Sequence, residues 1–426
     1  MKGKSIVIRG GRVVDAGGER QADVVIEEGL VAAVGEGLSA DVELDAGGCL
    51  VGPGLVDVHT HLRQPGKEEA ETIETGARAA ALGGYTCILA MPNTTPAIDS
   101  AGVAREVLEL GRGAPCDVRT SAAITIGRQG TQLTPMAELG DLGVRFFTDD
   151  GSGVQDTRLM RRALEYSIGL GVTLAQHCED EALAAGGHMN EGAVSARLGI
   201  PGQPAEAEEL MVMRDIALAR LTGARVHLQH LSTARSVELV ARAKADGVAV
   251  TCEATPHHAI LTDERCATYD PVFKVSPPLR TEADVATVRA GLADGTVDCI
   301  ATDHAPHAPE TKELPFDEAP PGMLGLETAL ALALTHLDLH PVRLFALLAT
   351  VPARILGEAD VHGGPIAAGR PANLCVVDPT AEWVVDPTRL ASRSRNTPYA
   401  GMSLTGRVRH TVLNGEPVVV DGEAQR

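Results

Sequence analysis

Short β-like runs alternate with helix-forming stretches through about 300 residues in the middle of this 426-residue chain. Residues 86–90 and 172–175 are typical β segments, whereas the Ala/Leu/Glu/Arg-rich stretches 205–221 and 233–245 have helical periodicity. Repeated βα units over this length favour a parallel barrel, for which about 250 residues is typical. An open doubly wound sheet is the alternative, but the first strand is not followed by the glycine-rich fingerprint that such sheets use to bind phosphate.

Both ends of the chain have a different pattern, with short strands separated by turns. The first 52 residues contain two predicted hairpins, one turning at residues 10–11 and one turning near residues 27–29. The strand-and-turn pattern returns near residue 358. We therefore predict an α/β fold: a (β/α)8 TIM-type barrel over residues 53–357, and a small β-sandwich domain formed jointly by residues 1–52 and 358–426.

Composition limits the classes of function. The chain has no apolar stretch of the roughly 18 residues that a membrane helix needs, and its N-terminus lacks the apolar core of a signal peptide, so we expect a cytoplasmic protein. Eight cysteines with no Cys-x-x-Cys pair do not indicate a disulfide framework. The net charge of −20 argues against a nucleic-acid partner. An anionic substrate would need cations supplied locally at its site.

His59 and His61 close an apolar run that reads as a strand. Two histidines separated by one residue on an extended segment point to the same side, so both imidazoles can reach one metal ion. Four further candidate ligands each follow another strand-like run: Asp150, His177, His230 and Asp303. Singly, a histidine or aspartate at a strand end is commonly structural or a helix N-cap. Asp149 and Asp150 both precede the turn at 151–153. An alternative role for one of the two is therefore to shape that turn and not to bind metal.

The six candidates gain weight together, because the active site of a parallel barrel lies at the C-terminal ends of its strands. Imidazole and carboxylate groups suit zinc, and six ligands are too many for one tetrahedral ion. We therefore predict a metal-dependent enzyme with one or two Zn²⁺ ions. With two ions, a carboxylate and a hydroxide would bridge them. His257 and His258 are weaker candidates for the pocket. His227 is expected to face away from His230, and His188 to be an ordinary surface or packing residue.

Three motifs carry a family resemblance. They are His59–Gly66, Gly83–Thr86 with Met91–Pro96, and Ala301–His307. Together they resemble the dihydroorotase family of the amidohydrolase superfamily, over nearly the whole chain. The resemblance implies reversible cyclisation of N-carbamoyl-L-aspartate to L-dihydroorotate plus water, a step of de novo pyrimidine (UMP) biosynthesis.

By the same resemblance, His59, His61 and Asp303 hold one metal ion, and His177 and His230 hold a second. Asp303 is in addition the catalytic residue, which moves the proton between the attacking hydroxide and the leaving amide nitrogen.

The bridging ligand departs from the pattern of many relatives. They use a carboxylated lysine there, but the run 146–150 contains no lysine. The resemblance is therefore to a bacterial branch in which an aspartate, here Asp150, replaces it.

The resemblance further implies a set of substrate-binding residues: His61, Arg63, Asn93, Ser276, His307, Pro321 and Gly322. Arg63 and Asn93 would grip the α-carboxylate with help from His307, since a guanidinium fork suits a carboxylate. Ser276 stands where relatives often have asparagine. Pro321 and Gly322 belong to a loop at 310–323 that can close over the substrate with backbone contacts.

Two alternatives remain. An allantoinase or hydantoinase is also a cyclic amidohydrolase, but it needs no carboxylate clamp such as Arg63 and Asn93. An inactive homologue serving as a structural partner of aspartate transcarbamoylase should have lost metal ligands, and this chain retains all six. For the active enzyme we expect a homo-oligomer, and a complex with that transcarbamoylase is a further expectation.

Overall fold

The computed structural model of the protein describes residues 3–426. The chain begins with five strands: β1 (Ile6–Asp15), β2 (Gly18–Glu27), β3 (Leu30–Gly35), β4 (Val42–Asp45) and β5 (Leu50–Pro53). Gly54 then leads directly into the first strand of the central barrel.

The central part contributes ten strands, of which two form a separate short pair, β11 and β12. In chain order the ten are β6 (Leu55–Thr60), β7 (Tyr85–Ala90), β8 (Asp117–Thr120), β9 (Phe146–Thr148), β10 (Thr173–Gln176), β11 (Met189–Asn190), β12 (Gly202–Gln203), β13 (Val226–Leu228), β14 (Val250–Ala254) and β15 (Cys299–Ile300).

The other eight strands are parallel and close into a barrel. β6, β7 and β8 pair in one parallel group, and β9, β10, β13, β14 and β15 pair in another. Parallel bridges from Ala122 to Phe147 and from Thr60 to His304 join the two groups at both seams. Six of these strands are buried throughout, and β8 and β14 are only partly less so, which explains their nearly continuous apolar runs, because a barrel sheet is covered on both faces. The predicted barrel is confirmed.

Helices surround the barrel. They are α1 (Ile73–Leu82), α2 (Ala101–Leu110), α3 (Met136–Asp141), α4 (Thr157–Leu170), α5 (Glu181–Ala184), α6 (Ala193–Leu198), α7 (Glu206–Thr222), α8 (Ala234–Ala245), α9 (Pro256–Ile260), α10 (Glu282–Asp294), α11 (Ala329–His336), α12 (Pro341–Phe345) and α13 (Val351–Leu356). The predicted helices at 205–221 and 233–245 are α7 and α8. Thr233 caps α8 by accepting a hydrogen bond from the Ser236 backbone N–H, and Gly223 ends α7 in the left-handed region.

The C-terminal part adds four strands: β16 (Leu374–Val384), β17 (Ser403–Leu413), β18 (Glu416–Val420) and β19 (Glu423–Ala424). One sheet runs in the order β19-β18-β17-β16-β5-β1-β2-β3, with β4 paired to β1. The antiparallel pairing of β16 with β5 joins the two ends of the chain. The predicted small β domain built from both ends is therefore confirmed, whereas its boundaries at residues 52 and 358 stay predictions.

One predicted turn is wrong. β1 does not turn at Gly10-Gly11 but continues to Asp15, with a bulge between Ile8 and Gly11 where its register with β2 shifts. Gly10 has a φ of 74°, which accommodates the bulge, and a Cβ on Gly11 would meet the Val51 side chain at 2.4 Å. Glycine serves here in a bulge rather than in a hairpin turn. The second predicted hairpin is confirmed as β2 and β3.

Among residues 3–426, no helix has both the length and the apolar character needed to cross a membrane.

Candidate metal centre and substrate cavity

The six predicted ligands come together at one rim of the barrel. His59 lies within β6 and His61 directly follows it, and the other four follow the ends of β9, β10, β13 and β15. All six side chains are buried. Because parallel strands end at the same rim, residues up to 244 positions apart in the chain become neighbours.

Asp150 is at the centre of this group. Its Oδ1 lies 3.2 Å from His59 Nε2, 3.8 Å from His177 Nδ1 and 3.9 Å from His230 Nε2, and its Oδ2 lies 3.5 Å from His61 Nε2. Two triads of potential ligands therefore share this carboxylate: His59, His61 and Asp150, and Asp150, His177 and His230. This is the arrangement in which one carboxylate can bridge two metal ions.

Asp303 adds a second carboxylate on the side of His61. Its Oδ1 lies 2.9 Å from His61 Nε2 and 3.4 Å from His59 Nε2. Burial alone would raise the pKa of Asp303, but the imidazoles of His59 and His61 reverse this and lower the pKa below its ordinary value. An ionised Asp303 beside the cavity is able to accept a proton.

The hydrogen bonds of the histidines test whether these residues fit a metal. His59 Nδ1 donates to Glu253 Oε1 at 2.6 Å, and His61 Nδ1 donates to Asn93 Oδ1 at 2.9 Å. In the neutral imidazole the Nε2 lone pair of each then points at carboxylate oxygens, which have no proton to offer. His59 Nε2 is buried without any hydrogen-bond partner among the described residues. Cations beside Asp150 would satisfy the Nε2 lone pairs of His59 and His61, so the donor set fits metal ions.

The two neighbouring aspartates have different tasks. Asp149 turns away from the histidines and accepts hydrogen bonds from the backbone N–H and the hydroxyl of Thr125. It fixes the turn after β9, and Asp150 then points into the metal centre.

Strained backbone accompanies the site. His230, Asp303 and Arg63 have φ values of 34°, 46° and 62°. These values lie in the left-handed region, which residues other than glycine rarely adopt. Such strain is typical of functional sites, because the surrounding structure has to maintain it.

The left-handed backbone at His230 also explains why the expectation for His227 is wrong. β13 ends at Leu228, so strand alternation does not reach His230, and His227 faces Glu253 inside the barrel.

Glu253 is the main residue that the sequence analysis missed. It is fully buried on β14, where Oε1 accepts from His59 Nδ1 and from the His230 backbone N–H at 3.1 Å, and Oε2 accepts from His227 Nε2 at 3.0 Å. Burial would raise the pKa of Glu253, but His59 and His227 lower it to about 2. The signal was a charged residue directly after the β-like run 248–252.

A cavity of about 430 Å³ opens onto the metal centre. Every residue predicted to bind substrate lines it: His61, Arg63, Asn93, Ser276, His307, Pro321 and Gly322. The structure also places in its wall five polar residues that the sequence analysis did not select: Glu179, His188, Gln203, Lys274 and Asp317. Ser276 donates to Glu179 Oε2 at 3.0 Å, so its hydroxyl is already engaged. His257 and His258 do not line the cavity.

Arg63 is the most unusual group in this wall. Its side chain is buried, yet no carboxylate of residues 3–426 forms an ion pair with it. Nε donates to the Pro306 carbonyl at 3.0 Å, and Nη2 lies 3.4 Å from His307 Nε2. Burial lowers the pKa of Arg63 to about 10, against the opposing effect of Asp303 and Asp150, so the guanidinium stays charged at neutral pH. Burial and the Arg63 cation together lower the pKa of His307 to about 2, which keeps this imidazole neutral.

Residues 48–236 match the family model described as dihydro-orotase-like. A dihydroorotase of Streptomyces coelicolor is 50% identical over 429 residues, covering 98% of this chain and 99% of that protein. A dihydroorotase of Mycobacterium tuberculosis is 47% identical over 430 residues, again covering 98% and 99%. The chain belongs to the dihydroorotase family.

The wider superfamily is visible in the fold. The solved structure of an L-hydantoinase (dihydropyrimidinase) from Arthrobacter aurescens superposes with a TM-score of 0.89 at 26% identity, covering 99% of this chain and 97% of that one. The predicted family and enzyme class are confirmed: this dihydroorotase-family chain is a metal-dependent cyclic amidohydrolase.

Proposed function

We propose that this protein interconverts N-carbamoyl-L-aspartate and L-dihydroorotate, with one or two Zn²⁺ ions at the centre around Asp150. The unpaired, buried Arg63 is the observation that favours a substrate with a carboxylate. A buried cation without an anion is unfavourable, and a carboxylate on the substrate completes the pair. The hydantoin ring has no carboxylate, so a hydantoinase would leave Arg63 unpaired. The relatives named dihydroorotase support the same choice.

The reaction needs a nucleophile, a proton carrier and a fixed substrate. Bound divalent ions supply an activated water with a pKa of about 7 and polarise the ring carbonyl. Arg63 holds the substrate by its α-carboxylate. Asn93 lies in the same cavity wall, where its side chain forms hydrogen bonds with His61 and Asp150. Asp303 takes the proton released by the attacking water and delivers it to the ring nitrogen as the amide bond breaks. In ring closure Asp303 takes the proton from the attacking carbamoyl nitrogen and delivers it to the oxygen that leaves as water.

Other predictions remain part of this proposal. They are the assignment of the six ligands, the identity of the metal as zinc, a homo-oligomer, a complex with aspartate transcarbamoylase and a cytoplasmic location. The buried histidine-rich donor set supports zinc.

The test is turnover by the purified protein and by Arg63→Ala. We expect the parent enzyme to open dihydroorotate and to close N-carbamoyl-aspartate. Removing one partner of a buried charge pair costs about 2–5 kcal/mol, so kcat/KM for dihydroorotate should fall about 30-fold to several thousand-fold. Metal content should not change, because the ligands are other residues.

Arg343→Ala is a matched control, since Arg343 also donates to backbone carbonyls, those of Leu292 and Val297, but lies outside the cavity. It should leave kcat/KM unchanged. Turnover of hydantoin by the parent without turnover of dihydroorotate would overturn the proposed function, and near-normal dihydroorotate kinetics in Arg63→Ala would remove Arg63 from the clamp.

A further inference from the structure

A segment far from the barrel strands in sequence reaches the substrate cavity. Residues 391–397 lie between β16 and β17, in the C-terminal part of the chain. The Ala391 backbone N–H donates to Glu327 at 2.9 Å, and the Arg393 N–H donates to Glu71 at 3.0 Å, so two acidic side chains of the barrel hold this segment in place.

Asn396 of this segment is buried, and its side chain bonds only to backbone groups of the cavity wall. Its Nδ2 donates to the Ala305 carbonyl at 2.9 Å and to the Gly322 carbonyl at 3.1 Å, and its Oδ1 accepts from the His307 backbone N–H at 3.2 Å. Both amide hydrogens and the amide oxygen are therefore engaged.

These three backbone groups flank the candidate carboxylate clamp. The Pro306 carbonyl, which accepts from Arg63 Nε, lies between Ala305 and His307 in the chain. His307 Nε2 lies 2.8 Å from the Pro321 carbonyl, which can only accept, so the imidazole donates there, next to Gly322. One asparagine thus ties together two chain segments: 305–307, which contacts the Arg63 side chain, and 321–322, which contacts the His307 imidazole.

We propose that Asn396 is a positioning residue for substrate binding, through which the C-terminal part of the chain sets the geometry of the carboxylate clamp. Asn396 does not line the cavity, so it acts through Arg63, His307 and Gly322. This inference rests on the proposed function, because it assumes that the clamp binds a substrate carboxylate. It adds a residue to the site that neither the motifs of the chain nor the metal centre indicated.

The test compares Asn396→Ala and Asn396→Asp with the parent enzyme. Alanine removes all three hydrogen bonds, whereas aspartate keeps the acceptor for His307 but faces the Ala305 and Gly322 carbonyls with lone pairs. A displaced binding group commonly costs up to about 100-fold. We expect KM for dihydroorotate and for N-carbamoyl-aspartate to rise at least about 10-fold in both variants, with kcat changed less than KM and with full metal content.

Asn373→Ala is the matched control. Asn373 is an equally buried asparagine of the C-terminal part, with Nδ2 donating to the Val361 carbonyl and Oδ1 accepting from the Asn414 backbone N–H, but it lies outside the cavity wall. It should lower the melting temperature and leave KM unchanged. An unchanged KM in Asn396→Asp or Asn396→Ala, with a parent enzyme that turns over dihydroorotate, overturns the inference alone. A parent without that turnover overturns the proposed function first.

Discussion

Replacing Glu253 by glutamine tests how the protein holds its metal ligands. The substitution keeps the shape of the side chain and an acceptor oxygen for His59 Nδ1, but removes the negative charge. Hydrogen bonds to charged groups contribute about 1.5–3 kcal/mol and neutral ones about 0.5–1.5 kcal/mol. The hold on His59 should therefore weaken by about 1–2 kcal/mol.

That loss should appear as weaker metal binding. About 1.4 kcal/mol corresponds to a tenfold change in an equilibrium constant, and partners of metal-bound histidines commonly change metal affinity by about 10- to 100-fold. We expect Glu253→Gln to bind metal at least about 10-fold more weakly, measured by competition with a chelator and by metal analysis. Glu253→Ala should be worse, because it also leaves His227 Nε2 and the His230 backbone N–H without their acceptor.

Glu208→Gln is the control for a general effect of losing a buried carboxylate. Glu208 is as deeply buried and accepts hydrogen bonds from the Ser232 and Thr233 backbone N–H groups, but it contacts none of the six candidate ligands. It should lower thermal stability without changing metal affinity. Metal affinity within about twofold of the parent in Glu253→Gln would refute the reasoning.

Two further predictions concern backbone space and the bridging group. Gly322→Ala should raise KM for dihydroorotate and lower the melting temperature, because a Cβ there would lie 2.7 Å from His307 Nε2 at a φ of 137°; Gly369→Ala, with a φ of 82° and open space around it, should affect stability only. Metal reconstitution without bicarbonate should restore full activity, since Asp150 needs no carboxylation, and a requirement for bicarbonate would contradict its role as the bridge.

The sequence predicted which residues meet at the barrel rim, because their placement follows a local rule. Each is next to the end of a β-like run, and the parallel barrel brings strand ends to one rim. Predictions from the local sequence pattern were wrong where the backbone departs from a regular β-strand. Alternation could not place His227 and His230, because the strand ends at Leu228 and the backbone of His230 is left-handed. The glycine pair at residues 10–11 has the composition of a hairpin turn, and only pairing with β2 shows that it is a bulge.

Residues that support the site from a distance could not be predicted. In the sequence Glu253 is only a single charged residue after a β-like run. Its role is to accept a hydrogen bond from His59, which lies 194 positions away in the chain. Asn396 lies in an irregular segment with no motif, and its partners are backbone groups that any sequence would offer. Such contacts depend on tertiary folding rather than on residue type, so a pattern along the chain does not contain them.

The charges around the cavity link metal binding to substrate binding. Four carboxyl groups line it, those of Asp150, Glu179, Asp303 and Asp317, against the two cations Arg63 and Lys274. Without metal, the wall therefore carries an excess of negative charge, within a protein whose net charge is −20. Salt screens the distant charges beyond about 8–10 Å, but not those within the cavity. Divalent ions reverse the local balance, so a site whose clamp selects a carboxylate binds that carboxylate well only once its metal centre is filled.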